Sequence, residues 1–461
     1  MAARTTHHSD ANVGELAERY LAVCYPVDPM QIDLGSYSAV AEALTADGME
    51  HAADTRRDVL RALSDGAFSD EDAVAREQLF EWVSANHDLA ESGEKYYPLS
   101  QIAAPHARIL RAVRASMATD PVDWSAVCDG YEAAASCFRE ELGLLKRGID
   151  LGFVATQREA RFALQRYLGL LGRAGYWLDA TLSFDGGISL MQEAQIRSVL
   201  EDAARSVDEL VGFLEQRYLS RALDQQGIGR DRFSLWSRKV LGEDIDLDEL
   251  YDSMWAELRD TLYQLDVVAA QMTSGGSVRD LVWKLEADLS YEIDVAVDLQ
   301  PWIRSKVQAE AVAVDAELVR LPDGATEFVL SGFGEHQFEM LEVHAPTRDG
   351  RPGIVLVRAL NNMKLSIWSF PALLHLQVIP GEHLFNCFLV DSQTPLQHFQ
   401  RVLVNPAALS GWSSYSAMMA AFEIDRADEV FHLNALRTRV RELVCALADI
   451  GFNLGLKLPD T

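Results

Sequence analysis

Two short stretches hold the residues best suited to chemistry. The first reads Leu374-His375-Leu376-Gln377-Val378-Ile379-Pro380-Gly381-Glu382-His383-Leu384-Phe385, the second Ser410-Gly411-Trp412-Ser413-Ser414-Tyr415. Glu382 has the chemistry of a general acid or base wherever a water-poor site favours its protonated form. His383 beside it can shuttle a proton or orient that carboxyl. Gln377 and Tyr415 can donate hydrogen bonds to a carbonyl oxygen whose charge grows in a transition state. Leu376, Phe385, Ser410, Trp412 and Trp368 would supply a mostly apolar substrate lining. A zinc site asks for three or four N, O or S ligands at about 2.0–2.3 Å. No His-Glu-x-x-His motif is present, and adjacent helical residues such as Glu382 and His383 diverge rather than chelate. The remaining route to a metal joins His375, Glu382 and His383 with His398 or His432. The expectation is no metal and no other cofactor.

These residues must be held by helices. Apolar residues recur at spacings of 3 and 4 through most of the chain, which predicts helices near 36–64, 69–92, 105–118, 123–147 and 189–221. Asp10 and Asp70 read as N-caps, and Thr156 opens a helix toward Gly172. Gly148 and Gly152 read as flanking a turn. Gly227-Ile228-Gly229 reads as a turn and not a phosphate loop, because no strand precedes it. Asp246 caps a helix whose stripe runs from Leu247 to Val268, and Gly275-Gly276 stops it. Between about 308 and 360 the pattern shifts. The run Val312 to Leu321, then Phe328-Val329-Leu330, Phe338 to Val343 and Ile354 to Val357, joined by Asp-Gly turns, predicts a small antiparallel sheet. Helix returns from 366 to 456.

Composition removes several classes of function. The chain has 461 residues, with 41 Lys and Arg against 70 Asp and Glu, a net charge of −29. That excess argues against nucleic acid or an anionic membrane surface as a partner. Hydrophobic residues at 49% predict a core-forming chain. No run of eighteen apolar residues predicts a membrane span, and the first residues lack the apolar stretch of a signal peptide. The cysteines, Cys24, Cys128, Cys137, Cys387 and Cys445, form no CxxC pair, which fits reduced thiols in a cytoplasm.

The two stretches resemble the active-site segments of the domain of unknown function 885 family, a group akin to helical zinc carboxypeptidases. Its first segment reads HExxPGHHLQ and its second EGWALYxE. The Pro380-Gly381-x-His383-Leu384 and Gly411-Trp412-x-x-Tyr415 frames match. Leu376 stands at the first His, Gln377 at the Glu that activates water, and Glu382 at one of the paired His. Ser410 and Ala417 stand at the two Glu of the second segment. Gly227 to Trp236 is similar to a family turn, and Asp449-Ile450-Gly451-Phe452-Asn453 is similar to a segment ending in His. The resemblance runs from about residue 14 to 456. It implies a mainly α fold, a large helical zinc-peptidase-like body with one small antiparallel sheet beside the cleft.

One helical domain is therefore expected over 1–461, with a helical lobe at 10–305, the sheet at 306–360 and a C-terminal lobe at 361–461. A kept frame with exchanged charges points to a metal-independent enzyme on a repurposed scaffold. It would cyclise, isomerise or eliminate on a hydrophobic, polyketide- or terpenoid-sized molecule in secondary metabolism, in a cavity between the 374–390 and 408–422 helices. The other readings are a zinc-dependent hydrolase with substituted ligands and a non-catalytic binding protein. A homodimer is left open.

Overall fold

The computed structural model describes residues 12–25, 37–99, 105–117, 122–171, 189–295, 297–332, 341–347, 350–357, 364–391, 397–424 and 428–459. The fold is mainly α, and the chain forms two compact units. Their boundary falls at Asp244–Ile245, with Phe452–Gly455 counted in the first unit. The expected lobe limits at 305 and 360 do not coincide with it. The break comes where the helix Arg230–Leu241 has ended at Gly242 and Asp246 starts a new helix.

The first unit contains helices α1 Val13–Cys24, α2 Tyr37–Ala43, α3 Ala46–Asp65, α4 Ala73–Glu91, α5 Pro105–Met117, α6 Trp124–Leu151, α7 Gln157–Leu171, α8 Leu190–Phe213 and α9 Arg230–Leu241. Its axis is α6, whose Val127, Tyr131, Ala134, Phe138 and Leu145 are buried against α2, α5 and α8. Asn12 caps α1 by accepting from the Gly14 and Glu15 amides, while Asp10 lies outside the described residues. Ser69 caps a short turn before α4, displacing Asp70 from that role. Gly148 lies inside α6, because the helix continues to Leu151 and ends only where Gly152 takes φ 86°. The 227–229 turn leads into α9 as expected. A side chain on Gly227 would overlap the Phe452 carbonyl and Asn453, and the Ile228 amide donates to Asn453 Oδ1 at 3.1 Å. Asn453, which stands where the resemblance implies a His, therefore serves as a side-chain acceptor for a backbone amide.

The second unit begins with α10 Leu247–Thr273, capped by Asp246 as expected, and α11 Val278–Glu286. Then come α12 Leu299–Glu317, α13 Phe370–Gln377, α14 Glu382–Val390, α15 His398–Val402, α16 Pro406–Met419 and α17 Glu429–Leu454. Strand β1 Glu292–Asp294 pairs antiparallel with β5 Lys364–Ser366. A second sheet has the order β2-β4-β3, from Phe328–Gly332, Gly353–Val357 and Leu341–His344. It is mixed, since β4 runs parallel to β2 and antiparallel to β3. Phe338 and Met340 lie outside the described residues. The Val312–Leu321 run, expected as a strand, begins inside α12. Ile303, Val307, Ala311 and Val314 form its buried stripe, and Val312 is exposed. That spacing is helical, and local β-branching does not override it.

The α12 stripe packs with Phe328 and Val355 of the sheet and with Phe370, Leu374, Val378 and Leu384. These contacts hold α13 and α14 in place. A side chain on Gly381 would overlap the carbonyls of Leu376 and His375, so only glycine fits between these helices. Trp412 Nε1 donates to the Pro380 carbonyl at 2.8 Å and ties α16 to the same turn. The frame residues thus fix the placement of α13.

Candidate active site

The residues expected to act together separate. His383 is fully buried, with its ring edge-on to Phe328 at 5.6 Å and its Nε2 3.5 Å from Cys387 Sγ. Burial pushes its pKa down to about 4, and the Ala325 backbone offsets this only in part, so the imidazole is neutral at physiological pH. Burial likewise pushes the Cys387 thiol up to about 12, with Glu327 adding to the shift. Glu382 is half-buried at the first position of α14, and Phe385 is half-buried one turn on. Gln377 is half-buried, and its Oε1 lacks a hydrogen-bond partner. Tyr415 is 62% exposed and Ser410 is exposed, so neither meets the buried His383. Trp412 is committed to the Pro380 carbonyl. Trp368 is buried in a separate cluster with Leu265, Leu281 and Leu436, under the Arg437 guanidinium at 4.8 Å.

A different set converges beside these segments. His375, one residue before Leu376, is 1% exposed, and its Nε2 stands 3.1 Å from Glu310 Oε2 on α12. Lys306, one turn earlier on α12, reaches Glu310 Oε1 at 2.8 Å. Burial is the largest single influence on the Glu310 carboxyl and would raise its pKa. His375 and then Lys306 outweigh it and hold the group below the usual carboxylate range. The buried carboxylate is thus ionised between two basic side chains. The His375 ring lies 4.6 Å from Phe431 at 33°, and Lys306 Nζ sits 4.9 Å from the Phe431 centroid.

His375 forms part of the wall of a pocket within this second unit. Ala372, Leu376, Ala417, Met418, Ala421, Phe431 and Ala435 give it an apolar lining, with Ser414, Thr438, Arg439 and Glu442 as its polar side. The space is about 320 Å³ counted out to solvent. That figure includes open solvent, and the enclosed part has room for about one water molecule. Ser414 Oγ donates to Glu442 Oε1 at 2.7 Å. Arg439 Nη1 donates to Glu442 Oε2 at 3.1 Å and its Nε to Glu257 Oε1 at 2.6 Å. Of the residues expected to line a cavity, this pocket takes Leu376. It also takes Ala417, the position where the resemblance implies the last Glu of the second segment.

The pair His375–Glu310 has the chemistry of a proton-transfer dyad. A carboxylate behind an imidazole fixes its orientation and stabilises the imidazolium formed when it takes a proton. His375 Nε2 faces the Glu310 carboxylate at 3.1 Å. Among the described residues no three His, Cys, Asp or Glu side chains group closely enough to hold one. His432, one of the outlying candidates, stacks on Phe422 at 4.8 Å. Glu310 was not apparent as a site residue in the sequence. The available signal was a Glu on an otherwise apolar stripe, four residues after Lys306.

A family described as bacterial protein of unknown function (DUF885) matches residues 29–457. No curated protein matches the chain. A candidate lipoprotein from Colwellia psychrerythraea is similar in structure, with a TM-score of 0.70 at 13% identity over 96% of this chain and 84% of that one. A candidate lipoprotein of unknown function from Shewanella oneidensis is similar at a TM-score of 0.66 and 12% identity, over 96% and 84%. At these identities the likeness concerns the fold alone. Among the described residues no helix is long and apolar enough to cross a membrane.

Proposed function

The chain belongs to the DUF885 family, and we propose that it is a metal-independent acid–base enzyme acting on a small hydrophobic molecule at the pocket beside His375. The observation that carries this reading is the buried His375–Glu310 pair in the wall of a largely apolar pocket. The pocket lies against Leu376 and Ala417, where the resemblance implies a metal-ligating His and a Glu. The zinc-peptidase ancestry and the loss of its motif are part of the proposal. A scaffold that exchanged those groups and keeps a backed imidazole is suited to moving protons, as isomerisation, elimination and cyclisation require. His375 takes a proton from a carbon or oxygen of the substrate, Glu310 stabilises the imidazolium, and the proton returns at a second atom. Four of the five cysteines are buried and Cys445 is exposed, and a cytoplasmic setting is part of the proposal.

Solvent deuterium exchange tests the reaction class. The protein is incubated in deuterated buffer with 2-hexanone, a slim carbonyl probe, and deuterium beside the carbonyl is read by mass spectrometry. Exchange above buffer is expected, falling about 10²-fold or more in His375→Gln. Glu382→Gln should change it far less. Exchange equal to buffer, or unchanged in a folded His375→Gln protein, would refute the reading.

A further inference from the structure

The His375–Glu310 pair has a third member, and this inference rests on reading that pair as the site of proton transfer. Lys306 precedes Glu310 by four residues on α12, so the two side chains leave the same face of the helix. Each Glu310 oxygen has its own neighbour. Lys306 Nζ stands 2.8 Å from Oε1, and His375 Nε2 stands 3.1 Å from Oε2. The Phe431 ring of α17 packs on both, with its centroid 4.9 Å from Lys306 Nζ and 4.6 Å from the centre of the His375 ring. The other charged residues beside His375 are Arg439 and Glu442 of α17 in the pocket wall, and they pair with each other. The His375 and Glu310 side chains are 1% and 4% exposed, whereas that of Lys306 is 27% exposed. The amine is thus the member nearest to water.

Charge balance gives that amine a task. A buried carboxylate without a counter-charge is costly, and uptake of a proton by the pair relieves the cost. With Lys306 in place the carboxylate is balanced while the imidazole carries no added proton. Without it the buried pair would bear a net negative charge and would take up a proton at a higher pH. That proton would occupy the base. An exposed pair at the same helical spacing has no such consequence, because water screens both partners.

We infer that Lys306 is a positioning residue for the pair: it fixes the Glu310 carboxylate and supplies the cation that leaves His375 open to accept a proton from a ligand.

The test uses Lys306→Met, which keeps an unbranched stem against Phe431 and removes the charge. Carboxyl-carbon NMR follows Glu310 as the pH is varied, its signal assigned by its loss in Glu310→Gln. In Lys306→Met the pair should take up its proton at a pH higher by about one unit or more than in wild type. In 2-hexanone exchange the acid limb of the pH profile should move up by the same amount, a loss of about tenfold on that limb that is regained at higher pH. Lys306→Arg, which keeps the charge, should restore the wild-type profile, and Lys306→Gln should behave as the methionine variant does. Circular dichroism confirms that each protein is folded. A structural role alone would lower exchange equally at every pH and leave the carboxyl titration where it was. The inference is overturned if folded Lys306→Met and Lys306→Gln titrate as wild type does, or if Lys306→Arg shifts as far as Lys306→Met. The two proposals fail separately. A shifted carboxyl titration without exchange of 2-hexanone in wild type removes the enzyme reading and keeps the role of Lys306, and exchange with an unshifted titration does the reverse.

Discussion

His383 makes the second unit acid-sensitive in a window that the structure defines. Its imidazole is fully buried beside Phe328 and Cys387, with a pKa pushed from 6.5 to about 4. In the unfolded chain the same group takes a proton near its ordinary value. Between those two values the unfolded state binds more protons, so stability falls as pH falls. The contribution is intact above pH 6.5 and is lost progressively toward pH 4. At about 1.4 kcal/mol per pH unit the loss reaches roughly 2 kcal/mol by pH 5 and about 3 by pH 4. The carboxyl of Glu310, held below its usual value of 4.5, adds its own loss only lower on the scale. The window from 6.5 to 5 therefore isolates the histidine. The assay is urea unfolding of wild type and His383→Leu at half-unit pH steps, with hydrogen exchange of the α14 amides as a local readout. The leucine variant should lack the slope over that window, whatever its absolute stability. Parallel curves for the two proteins from pH 7 to pH 5 would show that His383 does not titrate as its burial requires.

Three other outcomes follow from the same geometry. Glu310→Gln keeps the shape of the pair but removes the charge behind His375, and should slow 2-hexanone exchange about 10²-fold with the fold unchanged by circular dichroism. Trp412→Phe deletes the indole bond to the Pro380 carbonyl and should cost about 1 kcal/mol in thermal or urea unfolding, with no change in secondary structure by circular dichroism. Elemental analysis of mildly purified protein should find far less than one zinc per chain, and chelator should leave exchange unchanged. A ratio near one, with activity lost to chelator and restored by zinc, would return the substituted-ligand hydrolase to first place.

Much of the helical framework was legible because helix start signals are local. Asp246 and the Gly229 turn sit where their chemistry placed them. The 312–321 run misled for an equally physical reason. Five aliphatic side chains in ten residues satisfy a strand pattern when read alone. Only the burial of Ile303 and Val307 one and two turns earlier shows the helical stripe. Sheet order was out of reach, since pairing β2 with β4 rather than with β3 is a non-local choice.

The site shows the same limit at the scale of one residue. Successive helical positions differ by about 100°, so neighbouring residues of one segment face different surroundings. On α16 Ser414 faces the pocket and Tyr415 faces solvent. On α13 Leu376 is on the pocket wall, and His375, one position earlier, turns far enough to meet α12. That rotation takes His375 out of phase with the motif position and brings it to Glu310, 65 residues away in sequence. No spacing rule joins two residues so far apart. Their meeting depends on the frame, because Gly381 lets the turn close on α13 and Trp412 holds that turn. Gly381 and Trp412 thus position α13, and His375 on that helix meets the Glu310 carboxylate.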